Sequence, residues 1–491
     1  MNLQLITNLT GFENDLCDVI RLFFEAFELV SENPDYEIKL EYSENSESEN
    51  MQACVEILIN GEQVSHYQHS MAANFPSTLE KKRYMKRVAK ISLFRALKSL
   101  LPDTFTPWGS LTGIRPTHLL RELEEETNAE QAKEMFLQHF DVEIAKYEYA
   151  KQIIDIQKPI IQSIKPNDID IYIGIPYCKT KCLYCSFPSA VRTKRTDMGE
   201  YINALKSDIS QGATLLKSIG YSIRSIYIGG GTPTVLDENE LYDLLSHTLS
   251  CYDTYGLEFT VEAGRPDTIT PEKLKILKNA GVTRLSINPQ TMNESTLKTI
   301  GRSHSAKDII TAYEQAKALG FDINMDIIAC LPYESEADFA HTLNEISKFD
   351  IENLTVHTLA IKRASTLKEA INDWKSSMPD SETANNMLNM AHKTAQIMQM
   401  QPYYMYRQKY MRGNLENIGF AKAGKECIYN IDMMEEMTSI MAHGAGAMTK
   451  RIYKGSSLRV ERLPNPKDIK TYINKQQALF EGKEKLFRCR Q

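Results

Sequence analysis

No apolar run in this chain is long enough to cross a bilayer, which takes about 20 consecutive apolar residues. The opening stretch, MNLQLITNLTGFEND, carries no basic residues ahead of an apolar segment. Neither a membrane span nor a secretory leader is expected, and the expected compartment is the cytoplasm. The chain also lacks basic excess: 57 Lys and Arg against 64 Asp and Glu give a net charge of -7. That balance disfavours a nucleic-acid partner, although an acidic total is compatible with a local basic pocket. A dense, even set of cysteines is absent too. There are nine, and six of them (Cys17, Cys54, Cys251, Cys330, Cys427 and Cys489) are scattered. A secreted disulfide framework is therefore excluded, and the scattered six read as small buried hydrophobes. No repeat of fixed period is found beyond the strand and helix alternation described next.

What the chain does contain is ordinary globular composition, 42% hydrophobic and 25% charged, over 491 residues. That length suits two to four domains. Residues 1–165 begin with strand-like LQLITN, an apolar helix pattern in LCDVIRLFFEAFELV, and strands DYEIKLEYS and MQACVEILING separated by the polar loop ENSESEN. Helix patterns follow from Leu79 to Ile164, so an α+β accessory domain is expected. Residues 166–371 alternate six times between strand and helix. The strand-like runs are DIDIYIGIP, IRSIYIGGG, LEFTVEAG, TRLSINPQ, DINMDIIACLP and ENLTVHTLAIK, and most helices between them end in Gly. Short, nearly continuous Ile- and Val-rich runs joined by helices imply parallel strands buried on both faces. Six units rather than eight predict an α/β fold, a partial (β/α)6 barrel. Residues 372–491 are expected to form a mainly helical C-terminal domain.

Functional residues of such barrels gather at the C-terminal ends of the strands. Directly after the first strand comes IYIGIPYCKTKCLYCSFPS, with Cys178, Cys182 and Cys185 in a C-x3-C-x2-C spacing. A structural zinc usually takes four protein ligands. Here no second cysteine pair follows, and no His lies within thirty residues. A redox C-x-x-C would leave Cys178 unexplained. Three soft thiolates suit a [4Fe–4S] cluster with one iron left open for a ligand; zinc and plain core thiols remain as alternatives. Polar residues recur at the ends of the later strands: the glycines of YIGGGTPT, Glu262, Gln290, then Arg302 in GRSHS, and Asp326. A carboxylate can bind ribose hydroxyls or an ammonium, and Arg can clamp a carboxylate in bidentate fashion.

These motifs together resemble the radical S-adenosylmethionine enzymes. Their order, from Tyr172 to Lys362 with a weaker extension through YRQKYMRGNLENIGFAKAGKECIYN and HGAGAM, resembles the oxygen-independent coproporphyrinogen III oxidase group and its related haem chaperones, in particular an oxidase-like branch with a long N-terminal extension. The resemblance implies that the open iron chelates S-adenosylmethionine and that Gly230, Gly231 and Thr232 contact its methionine amino group. It implies cofactor contacts at Glu262, Gln290, Arg302 and Asp326, with Tyr172 and Tyr184 flanking the cofactor and Ala360 a further contact. The implied activity is anaerobic oxidative decarboxylation of coproporphyrinogen III to protoporphyrinogen IX, fed by an unidentified electron donor. Two other readings are a haem-binding trafficking protein and a radical enzyme acting on RNA. An acidic tetrapyrrole needs cationic anchors, for which Arg192, Lys194, Arg195, Arg265, Arg407 and Arg412 are candidates. Gln408 through Tyr410, in YYMYRQKYMRGN, is a candidate wall for a flat substrate. His357 and His443 are possible haem ligands, each set against an ordinary structural role. The chain departs from the family pattern at Gly174 (commonly His), at Phe187 (Cys in the oxidase type) and at Asn288-Pro289-Gln290 (commonly Gly-Val-Gln).

Overall fold

The computed structural model describes residues 1–24, 26–45, 50–72, 78–113, 115–360, 377–408, 411–453 and 459–488. They form two compact units. One is Met1–Lys151 with Gly413–Leu415; the other is Gln152–Arg412 with Glu416–Gln491.

The first unit contains both strands and helices, and its N-terminal stretch ends at Lys151 where residues 1–165 were expected. Its strands are β1 (Asn2–Thr7), β2 (Glu28–Leu29), β3 (Tyr36–Asn45), β4 (Asn50–Ile59) and β5 (Glu62–Ala72), in the sheet order β2-β1-β3-β4-β5. Helices α1 (Glu13–Phe23) and α2 (Thr78–Leu100) contribute Leu16, Val19, Ile20, Val88, Leu93 and Leu97 to a core shared with the strands. Strand β4 alternates cleanly: Met51, Ala53, Val55 and Ile57 are fully buried, the period-2 pattern of a sheet with one covered face. Strand β5 was not foreseen. Its hairpin turns on Asn60 (φ 53°) and Gly61 (φ 80°), both in the left-handed region, the conformation that a two-residue Asn-Gly hairpin requires. Helix α2 is strongly basic, but Lys81, Arg83, Lys86 and Arg95 are paired with Glu44, Glu122, Asp15 and Asp141. Helices α3 (Pro116–Glu126), α4 (Ala129–Glu134) and α5 (Ile144–Gln162) follow.

In the second unit the six expected parallel strands are present, adjacent and in sequence order. They are β6 (Asp168–Ile175), β9 (Ser222–Gly230), β10 (Glu258–Glu262), β11 (Arg284–Ser286), β12 (Asp322–Ala329) and β13 (Asn353–Thr358). Two short strands, β7 (Tyr177–Cys178) and β8 (Ala190–Val191), lie in the first connection. The connecting helices are α6 (Gly199–Ser218), α7 (Glu238–Cys251), α8 (Pro271–Asn279), α9 (Glu294–Thr299), α10 (Ala306–Ala318) and α11 (Glu336–Ile346). Their ends follow local chemistry. Helices α7, α10 and α11 open on capping boxes at Asp237, Ser305 and Ser335, each satisfying otherwise orphaned N–H groups. Gly220, Gly281 and Gly320 follow α6, α8 and α10 with φ of 77, 80 and 72°, the left-handed stop that glycine adopts without cost.

The expectation of a separate, mainly helical C-terminal domain is corrected by the structure. Helices α12 (Ser381–Ile397), α13 (Ile428–Glu435), α14 (Ile469–Asn474) and α15 (Gln476–Arg488) are there. Between them run five strands that extend the barrel sheet at both edges: β14 (Gln401–Tyr406), β15 (Asn417–Ala421), β16 (Ser439–His443), β17 (Met448–Tyr453) and β18 (Arg459–Pro464). The sheet has eleven strands, ordered β14-β15-β13-β12-β11-β10-β9-β6-β16-β17-β18. Strand β16 pairs in parallel with β6, and β15 antiparallel with β13. Pairing covers edges that β6 and β13 would otherwise expose. No helix among the described residues is long and apolar enough to cross a membrane.

Candidate cofactor site at the barrel mouth

Strand β6 delivers the chain to the cysteine loop, and three backbone bonds fix that loop. Arg192 N donates to Cys178 O at 2.8 Å, Cys185 N to Cys182 O at 3.1 Å, and Leu183 N to Ile300 O at 3.1 Å. Two of the sulfurs accept hydrogen bonds: Cys178 Sγ from Thr232 Oγ1 and Cys182 Sγ from Arg265 Nη1, each at 3.6 Å. Burial pushes the Cys185 thiol up. Among the described residues, no three His, Cys, Asp or Glu side chains converge on a single ion position. A cubane takes one thiolate per iron, so its ligands surround it instead of meeting at a point. The soft three-thiolate set therefore fits a cluster better than a single zinc.

All three cysteines line one cavity of about 400 Å³. So do Tyr172, Tyr184, Gly230, Gly231, Thr232, Glu262, Gln290, Arg302, Asp326 and Ala360. The glycine turn after β9 is pressed against the loop's entry: Gly231 N donates to Ile175 O at 2.7 Å and Thr232 N to Tyr177 O at 2.8 Å. Gly230 has φ 109°, and a Cβ on Gly231 would come within 2.5 Å of Tyr177 O. The contact is with backbone, which cannot swing away. Gly231→Ala is expected to displace the strand entering the cysteine loop, at an overpacking cost of about 1–3 kcal/mol. Its effect is read as a lower iron content per chain after reconstitution, with the far-ultraviolet dichroism retained.

Two carboxylates face the cavity with different partners. Glu262 accepts from Tyr227 Oη at 2.6 Å. Burial pushes its carboxyl up to about 7, a rise that the Tyr227 hydrogen bond opposes and the Asp326 charge supports. Asp326 accepts from Asn288 Nδ2 and Asn324 Nδ2, both at 2.8 Å, and His357 Nε2 is 3.6 Å away. Burial would raise it, but the bonds and charge from His357, with Asn324 and Thr355, bring it below the usual carboxylate range.

Gln290 sits at φ 68°, a strained region for a residue with a side chain and one that clusters at ligand sites. Its backbone bridges Asp326 O and Ile328 N at 2.9 Å, yet its buried Oε1 has no hydrogen-bond partner. Arg302 donates to Gly264 O at 2.8 Å and Tyr184 Oη at 3.0 Å, while its buried Nε is also unpartnered. Buried orphans are rare and ask for a partner; two at the mouth of one cavity fit a polar cofactor.

Sequence reasoning placed Tyr172 beside the cofactor but missed the rings it packs against. Tyr172, Tyr227 and Tyr429 stack with interplanar angles of 16–23°, and Tyr403, Tyr404 and Tyr406 continue the lining. The YYMYRQKYM stretch had pointed to an aromatic wall. Gln408 lines the cavity, while residues 409–410 lie outside the described residues. Nothing in the spacing of Tyr227 or Tyr429 marked them.

The proposed cationic anchors come out differently. Arg265 lines the cavity but is spent on Cys182, Thr180 O, Ser303 and Asp267. Arg192 is held by Glu240 at 2.7 and 2.9 Å. Lys194 and Arg195 are exposed, Arg407 is buried, and none of these four belongs to the lining; the Arg412 side chain is outside what is described. His443 has both ring nitrogens engaged, by Asp208 at 3.0 Å and Tyr252 at 2.8 Å, so its role is structural. His357 lines the cavity, 3.4 Å from Tyr406 Oη. Of the scattered cysteines, Cys17, Cys330 and Cys427 are buried as expected, but Cys54 and Cys251 are only half-buried, and Cys489 is outside the described residues. Cys427 reaches the cavity, its thiol 3.3 Å from Glu258 Oε1.

Residues 172–346 match the Radical SAM superfamily. Over 472 residues the chain is 36% identical to the oxygen-independent coproporphyrinogen-III oxidase-like protein HemZ of Bacillus subtilis, covering 93% of this chain and 92% of that one. It is 32% identical over 281 residues to the heme chaperone HemW of Bacillus subtilis, covering 56% and 69%. The solved structure of coproporphyrinogen III oxidase (HemN) from Escherichia coli shares the fold, with a TM-score of 0.53 at 19% identity over 66% of this chain and 72% of that one.

Proposed function

Since the chain belongs to the radical S-adenosylmethionine superfamily, in its oxygen-independent coproporphyrinogen III oxidase-like branch, whose cofactors are a [4Fe–4S] cluster and S-adenosylmethionine, we propose that it oxidatively decarboxylates coproporphyrinogen III to protoporphyrinogen IX. The observation that carries the reading is the gathering of three cysteines, a glycine turn, two carboxylates and two orphaned polar groups on one cavity. When bound and reduced, the cofactor pair supplies a 5'-deoxyadenosyl radical, the hard chemistry that no side chain offers. The chain's residues bind and orient. Cys178, Cys182 and Cys185 hold three irons. The N–H groups of the 230–232 turn and the Glu262 carboxylate receive the amino acid end. Gln290, Arg302 and Asp326 take hydroxyl, carboxylate and ribose groups. The tyrosine wall excludes water beside the reacting centre. Lys181, exposed at the mouth, is left to meet a substrate carboxylate.

A second reading is a haem-binding trafficking role. It is favoured by Phe187, which is 61% exposed on the cavity rim where the oxidase type has a cysteine, and by the lack of an uncommitted buried arginine among the candidate anchors described. One experiment separates the two. The reconstituted, reduced protein is given S-adenosylmethionine with coproporphyrinogen III, and in parallel is titrated with haem. Protoporphyrinogen formed over many turnovers supports the oxidase. Stoichiometric haem binding without vinyl product supports the chaperone.

A further inference from the structure

Glu262 does not stand alone at the end of β10. Its carboxylate is packed on the glycine turn so closely that a Cβ on Gly229 would lie 2.9 Å from its Oε1. That same oxygen accepts from Tyr227 Oη at 2.6 Å. The Tyr227 ring packs against two others in a triangle: its centroid is 4.5 Å from Tyr429 and 6.3 Å from Tyr172, which are 6.2 Å from each other. Packing against two neighbouring rings restricts where its hydroxyl points, so the donor arrives pre-oriented.

We propose that Tyr227 is a positioning residue for cofactor capture, holding Glu262 by its Oε1 so that the carboxylate meets the α-ammonium of S-adenosylmethionine. The proposal rests on the reading of Glu262 as a cofactor contact. A hydrogen bond donated to a carboxylate favours its ionised form, which is the form that binds an ammonium. Its importance here comes from the surroundings. Burial holds the Glu262 carboxyl at about 7 even with this bond in place. The titratable groups facing it are Tyr172, Tyr227 and Tyr429 from three elements and Asp326 with His357 behind it. No cation among these is placed to do the same work.

The sign follows from linkage. An ammonium that pairs with the carboxylate binds best where the acid is ionised and the amine still protonated, so affinity rises with pH through the free protein's value and falls again as the ligand's α-amine, at about 8, loses its proton. The test is the dissociation constant of S-adenosylmethionine for cluster-loaded protein, by calorimetry from about pH 6 to 9. In Tyr227→Phe the ring stack remains and only the donor is lost. The midpoint of the rising limb should move up by about one pH unit, with affinity at neutral pH falling up to tenfold while the falling limb, set by the ligand's amine, stays where it is. Glu262→Gln should flatten the rising limb. Coincident midpoints for Tyr227→Phe and the parent, or a loss of affinity equal at every pH, would overturn the positioning role while leaving Glu262 a contact. An unchanged profile in Glu262→Gln, or no binding by the parent, would overturn the underlying reading and the proposal with it.

Discussion

Replacing any one of Cys178, Cys182 or Cys185 by Ala is expected to abolish the broad iron–sulfur absorbance of the anaerobically reconstituted protein and leave its helix content unchanged. Cys427→Ala is expected to retain both. The contrast follows from position. The three loop thiols sit on a segment pinned by backbone bonds to Ile300 and Arg192, and two of their sulfurs accept hydrogen bonds from Thr232 and Arg265. Cys427 lines the same cavity, but burial and the adjacent Glu258 carboxylate push its thiol far up, so it persists as a neutral hydrogen-bond donor and a poor ligand. On the proposed assignment each loop cysteine would hold one iron, and a cluster with one corner already open would have none to spare. The effect should be all or none, measured as iron and sulfide per chain. Half-occupied clusters in all three variants, or loss in Cys427→Ala, would contradict the assignment.

Asp208→Ala should produce the largest loss of stability. Asp208, on α6, is buried and binds four groups: Lys483, His443 Nδ1 at 3.0 Å, Tyr472 Oη at 2.8 Å and Gly444 N at 3.2 Å. Burial alone would raise its carboxyl, but the Lys483 and His443 charges hold it well below the usual carboxylate range. Lys483 is itself 1% exposed. Removing the acid strands a buried ammonium, a loss of about 3–5 kcal/mol and a fall in melting temperature on the order of 10 °C. The consequence reaches the site. The loop after β16 abuts Gly174, whose carbonyl accepts from Tyr201 Oη at 2.6 Å, and Tyr201 in turn accepts from Ala445 N at 3.3 Å. Lys483→Met added to Asp208→Ala should recover part of the loss, because the stranded charge is then gone. No recovery in the double variant would locate the penalty elsewhere.

How far the fold could be read from the sequence follows from where its information is local. The six barrel strands are runs of β-branched residues that end at a polar or glycine step, with Gly-stopped helices between them. Both signals are carried within a few residues, and the chemistry at the strand ends came with them. The five added strands carry no such signal. SIMAH and NIGFA are five residues each, and QPYYMY holds a proline, so a periodicity test has little to count. Strand β16 joins β6 from 270 positions further on (439 against 169), a pairing that no local pattern announces. The run LCDVIRLFFEAFELV reads as one helix, yet α1 stops at Phe23 and Glu28–Leu29 form a strand; so short an apolar segment does not decide between the two periods. The Asn60-Gly61 hairpin was legible from its dipeptide and went unread. The tyrosine stack was not: Tyr172, Tyr227 and Tyr429 come from two strands and a helix, and only the folded chain brings their rings together.

The central claim is that the C-terminal mouth of the barrel holds a three-thiolate cluster that activates S-adenosylmethionine. The most direct test is to reconstitute the protein anaerobically, reduce it, add S-adenosylmethionine alone, and quantify 5'-deoxyadenosine and methionine. The account predicts both products in equal amounts from the parent protein and neither from Cys182→Ala. A protein that carries an intact, reducible [4Fe–4S] cluster and binds S-adenosylmethionine but releases no 5'-deoxyadenosine would contradict it.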